Sequence, residues 1–166
     1  MLYHETGHLK KKNNRKEKQM AILKATYEKH VPFHDLDPMS VVWHGNYVAY
    51  MEEAREVFLA KYAMRNFQAG GSGYITPVTH LDIKYIKSFT YDDTVVVEVT
   101  YKPCRAARIE LEYRFYRKSD GALMTEATSS HHFVDTATGE LQYSRPPLYK
   151  EWQEKWKVFE TEENAN

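Results

Sequence analysis

The sequence predicts an α+β fold in which one long helix covers one face of an antiparallel sheet. Apolar residues recur at helical spacing over residues 45–65, whereas later segments alternate apolar and polar residues, as the strands of a half-buried sheet do. Short turns separate these strands, which is typical of antiparallel order. The apolar face of such a sheet must be covered, and the long helix is the available cover. With 166 residues, one domain is expected.

The first 24 residues differ from the rest in charge. They contain seven Lys or Arg residues against two Glu residues, and they lack the apolar core of a signal peptide. We interpret residues 1–24 as a basic extension that is flexible or forms a surface helix; contact with acidic lipid or RNA is the alternative. The single domain is expected over residues 25–160, with residues 161–166 as a tail. The basic residues are Lys10, Lys11, Lys12, Arg15, Lys16, Lys18 and Lys24.

The first strand and the long helix flank a proline turn. Residues 25–34 alternate loosely around Tyr27, Val31 and Phe33, which indicates a strand. The helix is predicted over about residues 45–65, and the glycines that follow it indicate a flexible connection. The apolar residues at helical spacing are Tyr47, Tyr50, Met51, Ala54, Val57, Phe58 and Tyr62.

The second half of the chain predicts the rest of the sheet. Pro146 and Pro147 then introduce a C-terminal helix, predicted over residues 148–160. The strands are predicted over residues 78–88, 94–101, 109–116 and 122–135, separated by turn residues at 91–93, 103–107 and 119–121.

The composition argues against several classes of function. The formal net charge is +0, so the whole chain offers no electrostatic attraction for nucleic acid. Cys104 is the single cysteine, which excludes an intrachain disulfide, disfavours a cysteine-based metal site and fits a reducing cytoplasm. No apolar run reaches the roughly 18 residues of a membrane span. His131 and His132 lie on opposite faces of a strand, so they cannot share a metal ion, and we expect no metal site.

The segment from Asp35 to Tyr47, DLDPMSVVWHGNY, is the best candidate for chemistry. It places two carboxylates and a proline turn directly before the start of the long helix. A carboxylate can attack an acyl carbon, and the unpaired N–H groups of a helix start can hold the negative charge that develops. This combination suits an enzyme that splits an acyl group from its carrier.

The same segment carries a family resemblance. Residues 34–55, HDLDPMSVVWHGNYVAYMEEAR, resemble the signature of the 4-hydroxybenzoyl-CoA thioesterase family within the hotdog-fold superfamily. Weaker resemblances at residues 81–85, 91–93 and 133–139 follow in the right order. The resemblance implies a hotdog fold, in which a five-stranded antiparallel sheet wraps around a long central helix. It also implies a homodimer or homotetramer that hydrolyses an acyl-CoA thioester, without a cofactor other than the CoA of the substrate.

The resemblance also implies roles for individual residues. It assigns the catalytic carboxylate to Asp37 and the N–H that polarises the thioester carbonyl to the backbone of His44. Whether Asp37 attacks directly or activates water stays open. The neighbouring residues Trp43, Gly45 and Asn46 are expected to contact the substrate.

Several of these residues also have a purely structural interpretation. Asp37 precedes a proline, as turn residues often do, and Asp35 is expected to hydrogen-bond within the turn. The His44 side chain either steadies the substrate or takes no part. Ser40 stands where the family commonly has glycine, so a positive φ at this position would cost strain.

CoA also carries phosphates that need positive partners. Lys87, at the end of one predicted strand, and Arg105 and Arg108, which flank a turn, are candidates. Ordinary solvated surface charge is the alternative for each of them.

Two other functions compete with thioester hydrolysis. The first is an enoyl-thioester hydratase or dehydratase, another hotdog enzyme, which typically has a shorter Asp-to-His spacing and a nearby Asn-Pro. The second is a non-catalytic domain that binds an acyl thioester or a protein. For all three, we expect assembly through an edge strand, because one helix cannot cover the sheet of so small a domain.

Overall fold

A computed structural model of the protein describes residues 21–67 and 71–159. Five antiparallel strands form the main sheet, in the order β1-β4-β5-β6-β3, and a separate two-stranded ladder joins β2 to β7. The predicted α+β layer with an antiparallel sheet is confirmed. The elements are β1 (Lys24–His30), α1 (Asn46–Lys61), β2 (Tyr74–Ile75), β3 (Val78–Tyr85), β4 (Thr94–Lys102), β5 (Arg108–Arg117), β6 (Leu123–His132), β7 (Val134–Asp135) and α2 (Pro147–Lys155).

The core lies between α1 and one face of the sheet. Every second residue of β4 and β5 is buried, as the alternation predicted, because these side chains point towards the helix. The buried face of α1 is apolar except for Arg55, which pairs with Glu52, whereas Val57 is exposed on the other side. The buried residues of α1 are Tyr47, Tyr50, Met51, Ala54, Arg55, Phe58 and Leu59.

The C-terminal helix α2 packs at the far end of α1. The Trp152 indole N–H donates to the Tyr62 carbonyl at 2.7 Å, and the Tyr149 and Tyr101 hydroxyls lie 2.6 Å apart in the core. The helix was predicted over residues 148–160, but it ends at Lys155. None of the helices within residues 21–67 and 71–159 is long and apolar enough to cross a membrane.

Three predicted strands are shorter in the structure. Strand β1 ends at His30, since Pro32 has no N–H for the ladder and residues 33–35 form a 3-10 turn. Strand β3 ends at Tyr85. The strand predicted over 122–135 is divided at Phe133, whose N–H donates to Ala107, and the last two residues pair with β2 instead. Residue 70 of the glycine-rich connection lies outside the described residues.

Ordered packing begins slightly before the predicted start of the domain. Leu23 is buried and its carbonyl accepts from Tyr101, so ordered packing begins before residue 25. Residues 1–20 of the predicted basic extension and the predicted tail, 161–166, lie outside the described residues.

Strand β3 forms an uncovered edge of the sheet. Seven of its eight residues are exposed, and only Ile83 is partly buried. Its exposed apolar side chains include Val78, Leu81 and Tyr85. Because one edge of the strand has no neighbour among the described residues, its backbone N–H and C=O groups are available for pairing with another chain.

A buried polar chain runs from the sheet towards α1. The Tyr113 and Ser129 hydroxyls are 3.2 Å apart, and Ser129 Oγ lies 2.8 Å from His131 Nε2. Burial lowers the pKa of His131 to about 4, and the positive charge of Arg55 lowers it further, against a smaller opposite effect of nearby acidic groups. His131 is therefore a neutral, structural histidine.

Replacing His131 should reduce the acid sensitivity of the fold. The pKa of about 4 lies below the ordinary 6.5, so between these values unfolding takes up a proton and stability falls as pH falls. We expect this residue to cost the wild type about 3 kcal/mol of unfolding free energy between pH 7 and pH 4. Urea unfolding at both pH values should show a smaller loss for His131→Gln, which keeps a hydrogen-bonding group. The exposed His80→Gln should behave as wild type, and an unchanged pH dependence in His131→Gln would contradict the assignment.

Candidate active site

The segment that begins at Asp35 folds as a short hairpin. The Trp43 N–H donates to the Asp35 carbonyl at 2.9 Å, and the Asp37 N–H donates to Val41 at 2.8 Å. Between them, residues 36 and 42 form a β-bridge. The hairpin therefore turns over residues 38–40 and returns directly to the start of α1.

The turn gives a positive φ to Ser40, which stands where the family commonly has glycine. The Ser40 N–H donates to the Asp37 carbonyl at 2.9 Å, and Ser40 has a φ of 61°. A three-residue hairpin loop commonly ends in such a left-handed residue, which is usually glycine. The positive φ considered from the sequence is thus present, and it strains the backbone at Ser40.

Asp37 uses one carboxylate oxygen within the turn. Its Oδ1 accepts the Met39 N–H at 2.7 Å, a bond typical of aspartate in turns. Its Oδ2 has no hydrogen-bond partner among the described residues. The side chain is partly exposed, so one oxygen orients the carboxylate and the other is open to a ligand.

Asp35 has a different role from Asp37. Its Oδ2 accepts the Tyr50 hydroxyl at 2.6 Å, and its carbonyl accepts both the Trp43 N–H and the Asn46 side-chain amide at 2.9 Å. Burial, followed by the bond to Asp35, raises the pKa of Tyr50 far above its ordinary value. Asp35 therefore ties the hairpin to α1. Asn46, predicted to contact substrate, uses its amide to hold this turn.

The start of α1 leaves two backbone donors open. The Trp43 N–H is used in the hairpin, and the Asn46 N–H donates to the Trp43 carbonyl at 2.9 Å. Within the described part of the chain, the N–H groups of His44 and Gly45 have no acceptor. Helix starts carry partial positive charge, so this peptide pair is suited to an anion. The N–H of His44, which the family resemblance assigns to the thioester carbonyl, is thus one of two neighbouring donors.

Trp43 and His44 present their rings beside these donors. Both side chains are exposed, with ring centroids 5.1 Å apart. The indole lies over Gly45, where a Cβ would come within 2.2 Å of Trp43 Cζ3. Gly45 has a φ of −66°, so its lack of a side chain matters for the space it leaves to the indole.

The three cations predicted to hold CoA phosphates are divided between the ends of the sheet. Lys87 follows β3, near Phe89, whose carbonyl accepts a hairpin N–H at 2.9 Å. It therefore lies at the end of the sheet that carries Asp37. Arg105 and Arg108 lie in and beside the turn between β4 and β5, at the opposite end. Within one chain, the structure does not bring these two residues to the hairpin.

The surroundings of the three cations also differ. Arg108 forms an ion pair with Glu110, and the Arg105 guanidinium lies 4.4 Å from the ring centroid of Phe159. Lys87 is exposed and has no ion-pair partner within the described residues. Among the same residues, no group of three or more His, Cys, Asp or Glu side chains could hold a metal ion.

Tyr85 belongs to the site and was not predicted. Its hydroxyl donates to the His44 carbonyl at 2.9 Å, and its ring meets the buried Tyr47 ring edge-on with centroids 5.0 Å apart. Tyr85 lies 41 positions after His44 in the sequence, so no local pattern could show this contact. The sequence signal was limited to the position of Tyr85 within the strand predicted over residues 78–88 and within the weaker family resemblance at residues 81–85.

Comparison with known proteins identifies the family. The sequence model described as the thioesterase-like superfamily matches residues 31–157. The chain belongs to the thioesterase-like superfamily. YneP of Bacillus subtilis (strain 168), named as a candidate acyl-CoA thioesterase, is 30% identical over 105 residues, which are 63% of this chain and 75% of YneP.

Solved structures of thioesterases share the fold of this chain. The DHNA-CoA thioesterase from Staphylococcus aureus superimposes with a TM-score of 0.69 and 26% identity, covering 80% of this chain and 89% of that chain. The 4-hydroxybenzoyl-CoA thioesterase from Pseudomonas sp. strain CBS-3 superimposes with a TM-score of 0.66 and 21% identity, covering 78% of this chain and 98% of that chain. The predicted hotdog fold is confirmed. The prediction that the protein is a thioester hydrolase is confirmed at the level of the thioesterase-like superfamily.

Substitutions should separate the structural carboxylate from the exposed one. Tyr50 is 1% exposed, so Asp35→Ala leaves a buried hydroxyl without its acceptor and should lower the free energy of unfolding. We expect a loss of about 1–3 kcal/mol, a smaller loss for Asp35→Asn, and a change within about 0.5 kcal/mol for the partly exposed Asp37→Asn. Urea denaturation measures all three. Equal losses for Asp35→Ala and Asp37→Asn would contradict the division.

Proposed function

We propose that the protein hydrolyses an acyl-CoA thioester to the free acid and CoA. The observation that carries the proposal is that one short segment combines a carboxylate oxygen without a hydrogen-bond partner and backbone donors without acceptors, among the described residues. Asp37 Oδ2 and the N–H groups of His44 and Gly45 have no partners among the described residues. A carboxylate and an anion-binding peptide are the two parts that acyl transfer requires.

The chemistry follows from these groups. Either Asp37 attacks the thioester carbon, giving a mixed anhydride that water then hydrolyses, or it removes a proton from an attacking water. In both cases the carbonyl oxygen becomes negative, and the His44 and Gly45 N–H groups stabilise it. One such donor is commonly worth about 2.7–4 kcal/mol of the barrier. CoA leaves as a thiolate that takes a proton from solvent, so no strong acid is needed.

We also propose that two copies pair through β3. Its exposed apolar residues and open backbone edge support this arrangement. Copies of one strand related by a twofold axis pair antiparallel. The turn that carries Arg105 and Arg108 in one copy would then lie at the same end of the joined sheet as Asp37 in the other. A homodimer, or a homotetramer built from it, thereby supplies cations for the CoA phosphates.

Replacing Asp37 should remove the activity and leave the fold intact. We expect purified protein to release free thiol from at least one member of a panel of short, long and aromatic acyl-CoAs. Asp37→Asn should lower kcat by about 100-fold or more, because the amide can neither attack nor accept a proton. Thiol release is followed with a chromogenic disulfide reagent.

A matched control is available in the exposed turn after β3. Asp92→Asn removes another exposed carboxylate and should keep the wild-type rate. Wild-type protein that releases no thiol from any substrate would contradict the proposal and favour a binding domain. A change of enoyl absorbance without thiol release would instead indicate a hydratase.

A charge on β3 should disrupt the proposed assembly. Leu81→Lys places a charge on the pairing edge, so we expect light scattering after gel filtration to show a shift towards monomer. Thr26→Lys, on the opposite edge strand β1, should leave the assembly unchanged. A monomeric wild type, or dissociation by the β1 variant alone, would contradict pairing through β3.

A further inference from the structure

We propose that Tyr85 is a positioning residue that aims the Gly45 N–H at the thioester oxygen by holding the carbonyl of His44. The inference rests on the proposed function. Its basis is the 2.9 Å hydrogen bond from the Tyr85 hydroxyl to the His44 carbonyl oxygen. This bond connects the end of an edge strand to the peptide that begins the helix.

Because the peptide bond is planar, this contact fixes the orientation of the whole peptide unit that joins His44 to Gly45. The His44 carbonyl and the Gly45 N–H belong to one trans peptide unit, so they point in opposite directions. Fixing the oxygen on the side of Tyr85 therefore fixes the N–H on the other side. That N–H has no acceptor within the described residues, so the held peptide keeps a donor ready for a ligand.

The neighbouring donor is held in a different way. The His44 N–H belongs to the peptide of the Trp43 carbonyl, which accepts the Asn46 N–H at 2.9 Å. That bond is local to the helix start and forms with it. The His44 carbonyl, in contrast, depends on a side chain 41 residues away in sequence. Only the second donor therefore depends on a removable hydroxyl.

The surroundings of Tyr85 keep its hydroxyl in place and protonated. The ring meets the Tyr47 ring at an interplanar angle of 89°, and Tyr47 is 2% exposed. Partial burial raises the pKa of Tyr85 above its ordinary value of 10.0, so the hydroxyl carries its proton at neutral pH. A carbonyl that accepts a hydrogen bond also makes the N–H of its peptide a stronger donor.

The test removes only the hydroxyl. Tyr85→Phe keeps the ring on Tyr47, so we expect kcat to fall about tenfold while KM changes less than twofold. The Gly45 amide cross-peak in a ¹H–¹⁵N NMR spectrum should move, because its peptide loses the bond at the carbonyl. Tyr143→Phe is the matched control: Tyr143 is 92% exposed, and we expect wild-type kinetics and an unmoved Gly45 peak.

The outcomes separate this inference from the proposed function. An active wild type with unchanged kcat in Tyr85→Phe would overturn the inference alone, as would an unmoved Gly45 peak. A rise in KM with unaltered kcat in Tyr85→Phe would also overturn it, since this change indicates lost substrate binding. A wild type without activity on the whole acyl-CoA panel would overturn the proposed function and the inference together.

Discussion

The hydrogen bond from the Trp43 N–H to the Asp35 carbonyl, 2.9 Å long, is the constraint on which the site depends. It closes the hairpin that carries Asp37, and it removes the Trp43 N–H from the groups open to a ligand. The first open donors after the hairpin are therefore those of His44 and Gly45, where the helix dipole favours negative charge. One bond thus separates a carboxylate from an anion-binding peptide while it keeps both in a short segment.

Buried residues of the core hold this hairpin in place. The Asp35 carboxylate is bonded to Tyr50, which is 1% exposed, and the Val42 N–H donates to Phe89 beside the sheet. The left-handed Ser40 costs about 1 kcal/mol, which these buried contacts offset. A hairpin anchored on both sides keeps its carboxylate oriented before a ligand arrives, and pre-organised groups lose less entropy on binding.

Local patterns predicted most of the fold, and the division of the last predicted strand has a non-local cause. The helix predicted over 45–65 extends over Asn46–Lys61, and the alternation of β4 and β5 was read correctly, since both signals lie within single elements. The break at Phe133 depends on its bond to Ala107, and no local spacing records it. Arg105 and Arg108 were chosen by charge alone, and antiparallel order puts their turn at the opposite end of the sheet from the turn after β3, so their proposed role depends on a second copy.

Strand β3 is an exposed edge of the sheet, and it also carries Tyr85, which contacts the site. A strand with one open edge has fewer bonds to hold its end, and local opening starts at such places. Because β3 ends at Tyr85, opening of this strand releases the His44 carbonyl and with it the direction of the Gly45 N–H. In the assembly proposed above, a second copy paired along β3 would supply backbone bonds to the open edge and so stabilise that donor. In the proposed assembly, the contact that joins two copies is therefore also the contact that steadies the anion-binding peptide.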